Sequence, residues 1–346
     1  MPGFTNTIAF TYTGLVEQET RKFTMARGRV LREVFAADDW SSIVRAHGDD
    51  SGPVNMPLEP DWILPELGGH RVEISLPGDR GITLVGGWYK PPSTGGKRLT
   101  VILLTGSGGS PSYYGKALIA GYLGPALRRY VKSVLLVDYR GFGCSRHPSQ
   151  RQLDGSNVDA YVPHADYMPG SKGFYTDTLA MIAFLEAQGV ARSEIVLHGY
   201  SLGSGPAVDA AQRFPDLAGL VLHSPIASVY DEAKRESVIF TKTISASVAH
   251  GNVGFENDKK IASVRCPMLL TCGDAPDDKW YATEALAKKA RVGGASSGRV
   301  VVTKHRGTHF ETGAPFQSDA NGHDSGDKLQ AFFSHLHTRQ QLNIRS

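Results

Sequence analysis

The chain holds only three cysteines, Cys144, Cys266 and Cys272, in 346 residues. Three cannot build a disulfide framework, and their spacing is not that of a metal site. Net charge is nearly absent: 37 Lys and Arg face 34 Asp and Glu, a formal +3. So weak a balance makes no electrostatic case for nucleic acid or an anionic membrane. Long apolar runs are missing too. None approaches the ~18 residues of a bilayer span. The amino terminus lacks a basic segment, and the mildly apolar stretch from Ile8 to Val16 is broken by Thr11 and Thr13 and stops at Glu17. It makes a poor signal peptide, so a cytoplasmic protein is expected, with signal-independent secretion left open. With 41% hydrophobic and 21% charged residues, the chain is not globally disordered. Glycine is in excess, 39 residues against roughly 7% in an average chain. Glycine serves where backbone turns sharply or approaches another group closely, so the glycines mark where to look.

Residues 1–67 read as a separate arm, with amphipathic helical patterning between Gln18 and His47. From His70 the pattern changes. Arg71–Leu76 alternates as a half-buried strand, Pro77–Gly81 turns, and Ile82–Tyr89 returns, which predicts an antiparallel hairpin. Short apolar runs follow at Thr100–Leu104, Ser133–Val137, Glu194–His198, Gly219–Leu222, Met268–Leu270 and Val300–Val302. Such runs suit strands buried on both faces. Helical stretches separate them; Phe174, Thr178, Met181, Ile182 and Leu185 share one face. The alternation predicts an α/β fold with a mostly parallel, doubly wound sheet. Residues 149–171, rich in Ser, Asp, Pro and Gly, read as a long loop, and Gly293–Gly298 as a linker.

Two stretches match G-x-S-x-G, a pattern weak on its own. Ser201, in Gly199-Tyr200-Ser201-Leu202-Gly203, follows the strand Glu194–His198 and precedes the helical stretch Ala207–Phe214. Ser296 sits in the linker, after a helix and before a strand. A nucleophile elbow needs strand, then serine, then helix, so Ser201 is the candidate nucleophile and Ser296 a decoy. Pro206 removes a donor from the first turns of that helix.

A serine hydroxyl needs a base, and the base an orienting carboxylate. His309, past the last strand and behind Gly307, is the preferred base. His323 is the alternative, and His305, nearer the strand end, reads as structural. After the strand at Met268–Leu270 come Asp274, Asp277 and Asp278. Asp274 is too close to the strand end; Asp277 is preferred as the acid and Asp278 comes next. The oxyanion needs backbone donors: the amide of Leu202, and that of Ser107 in the loop Thr105–Pro111. That loop lacks the endings of phosphate or dinucleotide loops. No cofactor and no metal are called for.

With these residues in place, the stretch 70–338 resembles the α/β-hydrolase superfamily of serine hydrolases. Asp138-Tyr139-Arg140-Gly141-Phe142-Gly143-Cys144-Ser145 is similar to its D-x-R-G-x-G-x-S segment. Leu197–Ala207 resembles the elbow of the subgroup of monoacylglycerol lipase-like, depalmitoylase-like and prolyl-peptidase-like enzymes. Gly307-Thr308-His309-Phe310 resembles a G-x-H-F tail that favours His309 over His323. The resemblance implies an α/β-hydrolase domain over 68–340, with the arm 1–67 and the insertion 149–171 as pocket covers. It implies cleavage of an ester or thioester in a small or lipid-like acyl substrate. Thr105-Gly106 replaces the His-Gly common in relatives, and Pro276 stands at their acid offset. These departures and the unassigned arm motivate an alternative reading, a non-catalytic binding or host-directed interaction scaffold, beside that of an amidase or peptidase using the same triad.

Overall fold

The computed structural model describes residues 64–76, 82–92, 99–106, 111–140, 145, 171–228, 255–275, 278, 280–293, 299–308, 313–319 and 321–345. The arm up to residue 63, the turn 77–81, most of the insertion 149–171, and Ser107, Asp277, Ser296 and His309 lie outside the described residues.

Eight strands form one sheet: β1 (Gly69–Ser75), β2 (Thr83–Tyr89), β3 (Leu99–Leu104), β4 (Val131–Val137), β5 (Ile195–Tyr200), β6 (Gly219–His223), β7 (Met268–Gly273) and β8 (Val300–His305). Their order across the sheet is β1-β2-β4-β3-β5-β6-β7-β8. β2 runs against both of its neighbours, and every other pairing is parallel. The predicted hairpin is therefore the start of the sheet, and each predicted apolar run is one of its strands.

The helices are α1 (Pro111–Leu123), α2 (Ser171–Ala187), α3 (Ser204–Arg213), the short α4 (Asn257–Lys260), α5 (Trp280–Val292) and α6 (Ser325–Arg345). Side chains alternate across a strand, so the sheet has two apolar faces. Ile102, Leu135, Leu197, Leu222 and Leu270 pack with Phe174, Met181, Val208 and Leu286 of α2, α3 and α5. Val101, Leu103, Val134, Val196 and Leu269 pack with Leu118, Tyr122, Leu329 and Phe333 of α1 and α6. This is the doubly wound arrangement expected from the sequence. The predicted apolar face of α2 is fully buried. Each such Leu or Phe stabilises the fold by about 1.5–3 kcal/mol relative to exposure.

Two boundaries on either side of the serine turn differ from expectation. β5 runs on through Gly199 and Tyr200, because Gly199 pairs with Leu104 and Tyr200 with His223. α3 begins at Ser204, three residues before the helical pattern starts. Pro206 thus falls in the first turn, where amides have no partner inside the helix, and its missing donor costs nothing.

Candidate active site

The parallel register brings the carboxyl ends of β3, β5, β6, β7 and β8 to one edge. Leu104 pairs with Gly199, Tyr200 with His223, His223 with Thr271 and Gly273 with His305. After β3 the chain crosses to β4 on one side, then returns to place β5 on the other. Ligands of open α/β sheets bind at such a reversal of strand order.

Ser201 stands at this reversal. It opens the single turn Ser201–Gly203 between β5 and α3, is only 6% exposed, and has φ +51°. A left-handed serine persists only where its surroundings enforce it. The flanking glycines show what does. A Cβ on Gly199 would lie 2.7 Å from the Gly203 carbonyl oxygen and 2.8 Å from the Ala207 methyl. One on Gly203 would overlap the Leu104 carbonyl. Strand, turn and helix are thus packed backbone to backbone.

Ser204 secures the turn. Its hydroxyl donates to the Ser201 carbonyl at 2.6 Å and accepts from the Ile226 amide and from Asn257 Nδ2, each at 3.2 Å. Asn257 Nδ2 also donates to the Ile226 carbonyl at 2.9 Å. Sequence reading assigned no role to Ser204 or Asn257, since a serine one turn along and an asparagine 53 positions away carry no joint signal.

The glycine loop begins beside the serine. A Cβ on Gly106 would sit 3.1 Å from the Ser201 Cβ, and Leu202, the other expected oxyanion donor, is buried in the turn itself.

Beyond β7 a buried carboxylate appears, that of Asp278. Its Oδ2 accepts the Ser224 hydroxyl at 2.8 Å and the Gly273 amide. Ser224 has φ +45°, and its amide donates to the Thr271 carbonyl at 2.7 Å. The turn after β7 is laced to the turn after β8: Asp274 N donates to the His305 carbonyl, Ala275 N to that of Gly307, and the Gly307 amide to Asp274 Oδ1 at 2.8 Å. Gly307 has φ +110°, a conformation open to glycine alone, two residues before His309.

The other histidine candidates are engaged elsewhere. His305 is fully buried, its Nε2 3.1 Å from His223 Nε2, so one of those nitrogens carries hydrogen and the other does not. His198, buried beside them, accepts or donates across 2.6 Å to the Tyr122 hydroxyl, and burial pushes its pKa down to about 3. His323 has both ring nitrogens against carboxylates, Asp319 on Nδ1 and Asp274 on Nε2.

The D-x-R-G-x-G-x-S segment has a structural account. Arg140 Nε and Nη2 both meet Asp177 Oδ1 of α2, at 2.8 and 2.7 Å, while the Arg140 amide donates to Oδ2. Ser145 accepts the Val85 amide at 2.7 Å and donates to the Asp138 carbonyl at 2.8 Å. Cys266 and Cys272 are buried free thiols, each pushed up to about 12 by burial. Among the described residues, no group of His, Cys, Asp and Glu has the arrangement of a metal site, and no helix is long and apolar enough to cross a membrane.

Known proteins share parts of this sequence and this fold. An alpha/beta hydrolase domain-containing protein of Caenorhabditis elegans, aho-3, is 32% identical over 142 residues, which are 41% of this chain and 34% of that protein. An uncharacterized protein of Mycobacterium tuberculosis is 29% identical over 194 residues, 56% of this chain and 58% of its own length. The chain thus spans less than two thirds of either relative. Among solved structures, an esterase of Pyrococcus furiosus superposes with TM-score 0.55 at 18% identity, covering 80% of this chain and 96% of that one. A thermostable esterase of Pseudomonas putida gives 0.52 at 14% identity, covering 96% of each chain. The family model for the alpha/beta hydrolase fold matches residues 100–240, the stretch from β3 past β6 that holds the serine turn.

Proposed function

We propose that this chain is a serine hydrolase that cleaves a carboxylic ester or thioester through an acyl-enzyme. The observation that carries the reading is the left-handed backbone of Ser201 at the strand–helix junction, against the start of the glycine loop. Such a turn holds a serine oxygen clear of the sheet edge. Ser201 Oγ attacks the acyl carbonyl carbon as His309 takes its proton. The tetrahedral oxyanion is held by the amides of Leu202 and Ser107. Collapse expels the alcohol or thiol, which leaves with the proton from His309. Water, deprotonated by His309, then releases the acid and restores Ser201.

For the acid we propose Asp278, the neighbour of Asp277, the acid preferred from the sequence. Its burial and its two donors support the choice, because a carboxylate that orients an imidazole works best ionised and fixed. The substrate class follows the fold-sharing esterases named above, an argument by analogy; a small or lipid-like acyl ester is the first substrate to try.

A fluorophosphonate probe tests the reading. It labels the wild type and fails on Ser201→Ala; equal labelling of both would sink the assignment. Asp278→Asn slows labelling at least about 100-fold, while Asp277→Asn stays within about threefold. The reverse order would return the acid role to Asp277.

A further inference from the structure

His323 stands in the turn before α6, and its ring bridges two carboxylates from different parts of the chain. Nδ1 lies 2.9 Å from Asp319 Oδ2 and Nε2 lies 2.8 Å from Asp274 Oδ2. An ionised carboxylate only accepts, so both bonds exist together only when both ring nitrogens carry hydrogen. The geometry is that of an imidazolium between two anions.

The consequence reaches the base-bearing segment. The second oxygen of Asp274 accepts the Gly307 amide at 2.8 Å, and the Asp274 amide donates to the His305 carbonyl at 3.0 Å. Gly307 is the left-handed hinge from which the chain proceeds to Thr308 and His309. We propose that Asp274 and His323 are positioning residues, a charged clip that fixes the turn carrying the catalytic base. The role in catalysis rests on His309 being that base; the clip itself does not.

Electrostatics around the ring agree. The bonds to Asp319 and then Asp274 raise the pKa of His323. The Gly307 amide first, and His323 in addition, hold the Asp274 carboxyl below its usual range against partial desolvation. Asp324, next in the chain, is occupied by Lys328 at 3.0 Å and by the Thr303 hydroxyl at 2.8 Å, and Arg306, beside Gly307, is exposed. With its folded pKa raised, His323 holds both partners below the ordinary imidazole pKa and drops one as pH rises through the raised value.

Two readouts separate the clip from the function it serves. The first is amide hydrogen exchange of Gly307 at fixed pH, which needs no activity. It should quicken about tenfold in His323→Gln and in Asp274→Asn relative to wild type. The second is the pH profile of probe labelling at Ser201. The wild-type rate should rise as the base loses its proton, then fall about 3- to 10-fold on the alkaline side. His323→Gln should be slower near neutrality and lack the alkaline step. His323→Arg, cationic at every pH, should restore the neutral rate and hold it into the alkaline range. Unchanged Gly307 exchange overturns the clip. Faster exchange with an unmoved labelling profile overturns its positioning role and leaves a structural tie. A wild type that never labels overturns the serine hydrolase reading, while the exchange result still decides the clip.

Discussion

Ser201 keeps a backbone conformation that costs about 1–3 kcal/mol for a residue of its kind, so neighbouring residues must enforce it. Gly199 and Gly203 do so by what they lack, since side chains at either would strike the backbone of the helix or of Leu104. Ser204 does so by what it bonds. Ser204→Ala removes the donor to the Ser201 carbonyl and leaves the Ile226 amide without its acceptor. It should destabilise the fold by about 1–3 kcal/mol in urea titration and slow probe labelling of Ser201; stability within about 0.5 kcal/mol of wild type would show that the turn holds without it. The glycines were legible in the sequence because G-x-S-x-G is a local pattern. The buried acid was not. In the sequence Asp274, Asp277 and Asp278 differ only in offset, and the contact that Ser224 makes with Asp278 comes from another strand end.

At the scale of elements, the sequence predicted every strand of the sheet, because uninterrupted Val, Leu and Ile runs have no other stable place than between two layers. It missed where β5 stops and α3 starts. Gly199 and Tyr200 have weak strand character alone, yet they complete the ladder between Leu104 and His223. The resemblance that marked Asp138–Ser145 left its cause unstated. The cause is docking: Arg140 fixes α2 through Asp177, whose carboxylate is fully buried. Asp177→Ala removes the carboxylate that the buried Arg140 guanidinium and the Arg140 amide both bond, which should cost about 3–5 kcal/mol of stability. The joint replacement of Arg140 and Asp177 by apolar residues should cost less. A single-variant loss below about 1 kcal/mol, measured by chemical unfolding, would show that the pair is solvated.

At the scale of the whole molecule, the two apolar faces of the sheet also enclose polar groups. His198, His223 and His305 come from β5, β6 and β8 and are all buried. His198 stays neutral in the folded protein, its pKa pushed down by burial to about 3, whereas an unfolded imidazole protonates near 6.5. Its contribution is therefore complete above that value and is lost as pH falls toward the folded one. Between pH 7 and pH 5 this amounts to about 2 kcal/mol. His198→Gln should lose that much less stability than wild type over the same interval, read from urea midpoints; equal losses would mean that His198 charges without unfolding. By itself the sequence determined the layers, the strand–helix alternation and the serine turn, all of which rest on contacts a few residues apart or on how apolar each segment is. Only the tertiary structure decided the order of the strands, that Asp278 is buried at the sheet edge, and that His305 faces the interior while His323 clasps two aspartates. The side-chain contacts among them join groups 49 to 82 positions apart, Asp274 with His323, Ser224 with Asp278 and His223 with His305, and no local pattern records which of several equivalent side chains will meet.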